Sequence, residues 1–177
     1  MLATIVIVLL VLLDQLVKYL VKTNIPLGSS VPFLPGILSL AHIHNTGAAF
    51  SMLSGARWFF VILTVAFVIF GMWVLLTGRL RHSLGKWSWV LVLAGAVGNL
   101  IDRCLYGYVV DMFEVQFMHF AIFNVADIFV VVGGILFCIY YLFLHDKKKE
   151  AGDEESPVSF CIAIVFQGLS ADGQLTV

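Results

Sequence analysis

The sequence predicts an all-α membrane protein with four transmembrane helices and a small extracytoplasmic β-sheet or loop element. Three observations predict it. Of 177 residues, 61% are hydrophobic and 12% charged, with mean hydropathy +1.03, whereas soluble domains carry about a quarter charged residues. Four apolar runs approach the roughly 20 residues a helix needs to cross a hydrocarbon core. Between the first two runs lies a long segment rich in Pro and Gly, with short β-favouring stretches.

The first span runs from Ala3 to Val21. It lacks the basic leader and small-residue cleavage site of a signal peptide, and Asp14 interrupts its apolar core, so it reads as a retained helix. The segment Thr23 to Arg57 follows. Pro26, Pro32, Pro35, Gly28 and Gly36 punctuate it and Ile37 to Ile43 favours strand, which predicts a hairpin or small sheet lying on the membrane. The second span covers Trp58 to Leu76 and the third Trp87 to Ile101. The third is short, but Lys86 can extend to the headgroups, and Trp87 and Trp89 suit the interface. A connection from Asp102 to Ala121 leads to the fourth span, Ile122 to Leu144.

Basic residues in the connections set the orientation. Arg79, Arg81 and Lys86 lie between the second and third spans, and Lys147, Lys148 and Lys149 follow the fourth, which predicts both termini on the cytoplasmic side. Lys18 and Lys22, at the outer end of the first span, run against this rule. Residues 1–146 are expected to form a single membrane-embedded domain. Residues 147–177 read as a cytoplasmic tail, disordered or atypical, whose apolar stretch Val158 to Phe166 is too short to span.

Composition also excludes function classes. A net charge of −1 with no basic stripe argues against nucleic acid as a partner. Cys104, Cys138 and Cys161 are odd in number and scattered, which supports neither a disulfide framework nor a metal cluster. His42 and His44 have no third ligand nearby, so no metal and no cofactor are expected.

Polar residues inside the apolar spans carry the functional signal, because a charge at membrane depth costs roughly 2.5 to 3.5 kcal/mol on insertion scales and survives mainly in a bundle interior or a site. Asn99, Asp102 and Arg103 fall at i, i+3 and i+4 on one helical face at the outer end of the third span, and Asn124 and Asp127 share a face at the start of the fourth. Asp111 lies in the connection between them. A short return from the third helix to the fourth brings Asp111 towards Asp127 near the outer surface. Two carboxylates a few ångströms apart divide one proton, so one can take a proton from water while the other donates to a substrate carbonyl. Peptide hydrolysis of this kind needs neither a metal nor a serine.

Structural readings stand beside these. Asp14 and Lys18, four apart, suit an intramembrane ion pair. Arg103 equally suits a headgroup anchor, Asn99 and Asn124 interhelical hydrogen bonding, and Ala94 with Gly98 close helix packing. A small proton- or ion-conducting protein and a lipid-binding assembly factor are the alternative functions. Against the first, the acids sit at one membrane face instead of forming a relay across it; against the second, a carboxylate pair would be an uncompensated electrostatic cost.

Five segments appear in order that together resemble the bacterial lipoprotein signal peptidases, or signal peptidase II: Asp14-Gln15-Leu16-Val17-Lys18, Asn45 to Ser51, Gly98 to Arg103, Gly107 to Asp111, and Phe123 to Asp127. The resemblance covers roughly residues 1 to 146. It implies an intramembrane aspartyl endopeptidase that removes the signal peptide from diacylglyceryl-modified prolipoproteins just before the lipidated cysteine. It also implies a bacterial cell-membrane location with the site near the extracytoplasmic face, contact with membrane lipids, binding of globomycin-like inhibitors, and a monomer. Residue by residue, Asp111 and Asp127 match the catalytic pair. Asn45, Gly47, Arg103 and Ala126 match substrate-binding positions, as do Asn99 and Asn124, which orient the site; Asp14, Lys18 and Asp102 match supporting positions. Asp102 is expected to be held ionised by Arg103. His44, Met112 and Ile128 depart from the usual tyrosine, phenylalanine and serine, but none removes an acid or amide of the site. A bulky lipidated substrate arriving from the bilayer predicts that Thr23 to Arg57 moves as a lid.

Overall fold

The computed structural model describes residues 1–47 and 55–145. The expected tail, the segment Val158 to Phe166, Cys161 and the middle of the proposed lid lie outside the described residues. Helices α1 (Leu2–Asn24), α2 (Arg57–Leu76), α3 (Ser83–Leu105) and α4 (Val125–Tyr140), the last continued by a π turn at Tyr141–His145, account for the four spans. Strands β1 (Ser30–Leu34) and β2 (Leu38–Asn45) lie between α1 and α2, and β3 (Val109–Val115) lies between α3 and α4. The three form one antiparallel sheet in the order β1-β2-β3 at one end of the bundle.

Helix α1 shows how sequence period becomes packing. Its buried residues Ile7, Val11, Asp14, Lys18 and Val21 recur every three or four positions, one stripe turned to the bundle, while Leu9, Leu12, Leu16 and Leu20 remain on the outside. Outward leucines here are lipid-facing surface. Helix α3 is the hub and touches the other three helices. Small residues let it do so: a Cβ on Gly95 would strike the backbone oxygen of Ala126, and one on Gly98 would lie 2.6 Å from Asp14 Oδ2. Ala94, Leu93 and Val90 are fully buried along the same helix.

Several boundaries differ from the sequence reading: α1 ends at Asn24 instead of Val21, and α3 starts at Ser83 instead of Trp87. Helix α3 runs 23 residues instead of ending at Ile101, because Asp102 is paired inside the bundle and so does not mark the membrane surface. Helix α4 begins at Val125, with Asn124 as its N-cap rather than a residue on its face. The hairpin expected near Ile37 to Ile43 is present, and the sheet gains a third strand from the connection between α3 and α4. His42 and His44 face each other, Nε2 to Nε2 at 3.2 Å. His42 Nδ1 lies 2.8 Å from the Ile25 carbonyl, and His44 stacks on Tyr108 at 3.6 Å. They tie β2 to the end of α1 and to the start of β3.

Candidate active site

Helix α4 presents Asp127 through its own start. Asn124 Oδ1 accepts from the Asp127 amide and Asp127 Oδ2 accepts from the Asn124 amide, both at 3.0 Å, a reciprocal capping box that satisfies two otherwise orphaned donors. The cap therefore fixes the carboxylate as rigidly as the helix terminus itself. Strand β3 presents Asp111 opposite Ile43. Asn45, two residues beyond Ile43, projects from the same face of β2, and its Nδ2 reaches Asp111 Oδ2 at 2.9 Å. The other Asp111 oxygen accepts from Asn124 Nδ2 at 2.7 Å. Asn124 thus touches both acids.

A buried ionic cluster lies behind them. Lys18 Nζ stands 2.9 Å from Asp14 and 3.1 Å from Asp102, with all three side chains at most 2% exposed. Gln15 Nε2 sits within 3.2 Å of Asp14, Asp102 and the Gly98 carbonyl, completing the acceptors' partners. Lys18 also donates to Asn99 Oδ1 at 3.0 Å, and Asn99 Nδ2 donates to Asp127 Oδ1 at 2.8 Å. The expected tie between Asp102 and Arg103 is absent among the described contacts. Adjacent helical residues do not face each other, so Asp102 turns to Lys18 while Arg103 Nη2 reaches the Gly47 carbonyl at 3.1 Å and its guanidinium covers Phe60. Lys18 is consequently an interior cation and does not bear on orientation as a surface lysine would, whereas Lys22, half-buried over the Tyr106 ring, still runs against the rule.

Asp111 and Asp127 line the same cavity of about 510 Å³, together with Asn45, Asn99, Arg103 and Asn124. Its remaining walls are apolar, from Val109, from Phe120 to Phe123, and from Ile128, Val130, Val131 and Val132 of α4. Burial lifts the Asp111 carboxyl to about 6; the hydrogen bonds from Asn124 and Asn45 oppose the rise, Asp127 adds to it, and Lys18 opposes it. Asp111 can therefore carry a proton near neutral pH. Among the described lining residues there is no Ser, Thr, Cys, His or Lys, so the ionisable groups of the wall are two carboxylates and one guanidinium.

The structure brings together Asn45, Asn99, Arg103, Asp111, Asn124 and Asp127. Gly47 is reached through Arg103, and Ala126 is fully buried with its amide donating to Asp14 Oδ1 at 2.9 Å. Asp14, Lys18 and Asp102 stand behind the wall. Gln15 was missed as part of this cluster; its place one residue after Asp14 gave no periodic signal of its own.

Comparison with known proteins gives a consistent picture. A family model described as signal peptidase (SPase) II matches residues 6–143. Proteins named lipoprotein signal peptidase are similar over most of the chain: one from Enterococcus faecalis is 48% identical, covering 81% of this chain and 89% of its own. Another from Clostridioides difficile is 40% identical, covering 84% of this chain and 100% of its own. Among solved structures, one titled as a bacterial membrane enzyme at 2.3 Å resolution superposes with a TM-score of 0.75 at 32% identity, covering 87% of this chain and 94% of that one.

Proposed function

The chain belongs to the signal peptidase II family, and from that premise we propose that it is an intramembrane aspartyl endopeptidase acting on diacylglyceryl-modified prolipoproteins, cleaving just before the lipidated cysteine. Asp111 and Asp127 are the proposed catalytic pair. The observation that carries this reading is the pairing of two carboxylates, Asp111 and Asp127, in one largely apolar cavity, each accepting a hydrogen bond from Asn124. Water is the proposed nucleophile.

In the proposed reaction a peptide lies between β3 and α4 with a water beside Asp127. Asp127 takes a proton from the water as its oxygen bonds to the scissile carbonyl carbon, while Asp111 gives its proton to the carbonyl oxygen. The resulting diol collapses as its hydroxyl returns a proton to Asp111. The leaving amine takes the proton held by Asp127, and both acids regain their starting states. The raised Asp111 value supports the donor role. Asn45 and Asn124 hold its two oxygens from the side, so the carboxyl cannot rotate away from the peptide. The apolar wall from Ile128 to Val132 suits the hydrophobic part of a signal peptide or a lipid chain, and Arg103 suits the peptide backbone near Gly47. With the sheet at the extracytoplasmic end, residues 1–146 act as one unit in the cell membrane, both termini cytoplasmic, as a monomer open to globomycin-like inhibitors.

The test is direct. Asp111→Asn and Asp127→Asn should each leave a lipid-modified prolipoprotein uncleaved while the protein still inserts in the membrane. Cleavage at the parental rate in either variant rejects the pair.

A further inference from the structure

The ionic cluster behind the cavity is placed with unusual economy. Asp14 Oδ1 accepts from the amide of Ala126, the residue before Asp127, at 2.9 Å. Asp102 Oδ2 accepts from the amide of Val110, the residue before Asp111, at 3.1 Å. Each buried acid thus holds the backbone amide of the residue before one site acid, on two different elements. Lys18 joins the two holders, at 2.9 Å and 3.1 Å, and through Asn99 it also reaches the Asp127 side chain. From these contacts, and resting on the proposed aspartyl mechanism, we propose that Lys18 is a positioning residue: with Asp14 and Asp102 it forms one clamp that fixes the spacing between Asp111 and Asp127.

Asn124 and the backbone bonds between Phe123 and Met112 and Phe113 link β3 to the start of α4; the clamp adds a second reference, from the helices. Strand β3 and helix α4 come from opposite ends of one connection, and β3 is the edge of its sheet. The clamp belongs to α1 and α3, so it references both acids to the membrane bundle rather than to the sheet. Gly98 supports this, because a side chain there would displace Asp14. A lysine suits the centre: three donors on one compact nitrogen meet Asp14, Asp102 and Asn99 together. A clamp acts on the geometry of the transition state, not on the capture of substrate, so its loss should fall on kcat rather than KM.

Removing Lys18 alone leaves two buried carboxylates unpaired and risks unfolding, so three full-length variants are compared in the membrane-reconstituted enzyme. These are Lys18→Met, Lys18→Arg, and the charge-neutral triple Asp14→Asn with Lys18→Met and Asp102→Asn. Each is assayed on a diacylglyceryl-modified prolipoprotein for kcat and KM, with thermal unfolding and the pH profile of kcat/KM recorded beside them. Lys18→Met should lower kcat at least 100-fold. The triple, which keeps an oxygen facing each clamped amide, should regain most of the thermal stability but stay at least tenfold low in kcat, with KM within threefold of the parent. Lys18→Arg, which keeps the charge but not the compact centre, should fold and show a kcat loss of about tenfold. In Lys18→Met, which removes the ammonium alone, the alkaline limb assigned to Asp111 should move to higher pH. The charged groups acting on Asp111 are Lys18 from α1, Arg103 from α3 and Asp127 from α4, with Asp102 on the amide of the preceding residue; of the clamp residues, Lys18 is the one that opposes its protonation. Parental kcat in the triple or in Lys18→Arg, or a loss carried by KM alone, overturns the inference. It would leave the function intact, provided that Asp111→Asn and Asp127→Asn abolish cleavage; activity in those two variants is what defeats the parent reading.

Discussion

Asn124 Nδ2 donates to Asp111 Oδ1 at 2.7 Å while Asn124 Oδ1 accepts from the amide of Asp127, so one side chain spans from the edge strand to the start of α4. Helix capping and site assembly are the same contact. Asn124→Ala should therefore cost stability and activity together: about 1 kcal/mol from the lost cap, with more from the Asp111 oxygen left with one fewer donor in a buried site. We expect a lowered unfolding temperature and a kcat loss of tenfold or more. A variant with parental kcat would separate the cap from the site.

The pH dependence follows from Asp111. Its pKa, about 6, lies above the ordinary carboxylate value of 3.8, chiefly through burial. The protonated form is favoured in the folded protein, so its contribution to stability is full below 3.8 and is lost as pH rises through about 6. If Asp111 is the proton donor, kcat/KM should decline on the alkaline side with a midpoint near that value in the free enzyme. Asn45 hydrogen-bonds the carboxylate and opposes the rise, so Asn45→Ala should move this limb to higher pH. An unmoved or lowered limb would count against the assignment.

Much of this arrangement was legible in the sequence, and the parts that were not share a cause. The four spans followed from apolar length; Asp127, Asn99 and Asn124 stood out because polar groups at membrane depth need a reason, and Asp111 because the short return between the third and fourth spans brings it towards them. The strand character of β3 was hidden: Val109 and Val110 are β-favouring, but the partner strand that makes them a strand is separated from them by α2 and α3. The reading of Asp102 failed for the same reason. Sequence adjacency pointed to Arg103, whereas its cation comes from α1, a helix more than eighty residues earlier in the chain. Helix periodicity fixes which residues share a face, and does not say which other helix that face meets.

The glycines of the helix interfaces make a paired prediction. A Cβ at Gly95 would meet the Ala126 carbonyl oxygen, and would also lie 2.7 Å from Val130 Cγ2 and 3.1 Å from the Val130 amide nitrogen. Backbone cannot yield as a flexible side chain can, so Gly95→Ala should push α3 and α4 apart at the level of the capping box. We expect a cost of about 1 to 3 kcal/mol and lost cleavage. At Gly134 nothing lies within 4 Å of the same added carbon. Gly134→Ala should be neutral or stabilise by about 0.5 to 1 kcal/mol. Thermal unfolding of the two variants side by side checks the contrast, and similar melting points would reject it.

The sheet should be seated in the bilayer interface rather than held in water. All five residues of β1 are exposed, and Phe33, Leu34 and Ile37 at the hairpin are about half exposed or more. Phe117 and Met118, beyond β3, are exposed at the same end, where Gln116 donates to the Ile37 carbonyl at 3.0 Å. From Thr23 to Ala56 the sequence has no Asp, Glu, Lys or Arg. An uncharged edge strand with bare aromatic and branched side chains is an aggregation hazard in water, but is well matched to the boundary between headgroups and acyl chains. The anchoring helices already place this end of the molecule at the membrane surface. A nitroxide on Phe33→Cys, in a chain whose native cysteines are replaced by alanine, should therefore collide more often with dissolved oxygen than with a water-soluble nickel complex. Phe33→Asp should weaken cleavage of membrane-embedded substrate more than cleavage in detergent. Preferential collision with nickel would place the hairpin in water, and the exposed apolar residues of β1 would then need a protein partner to cover them.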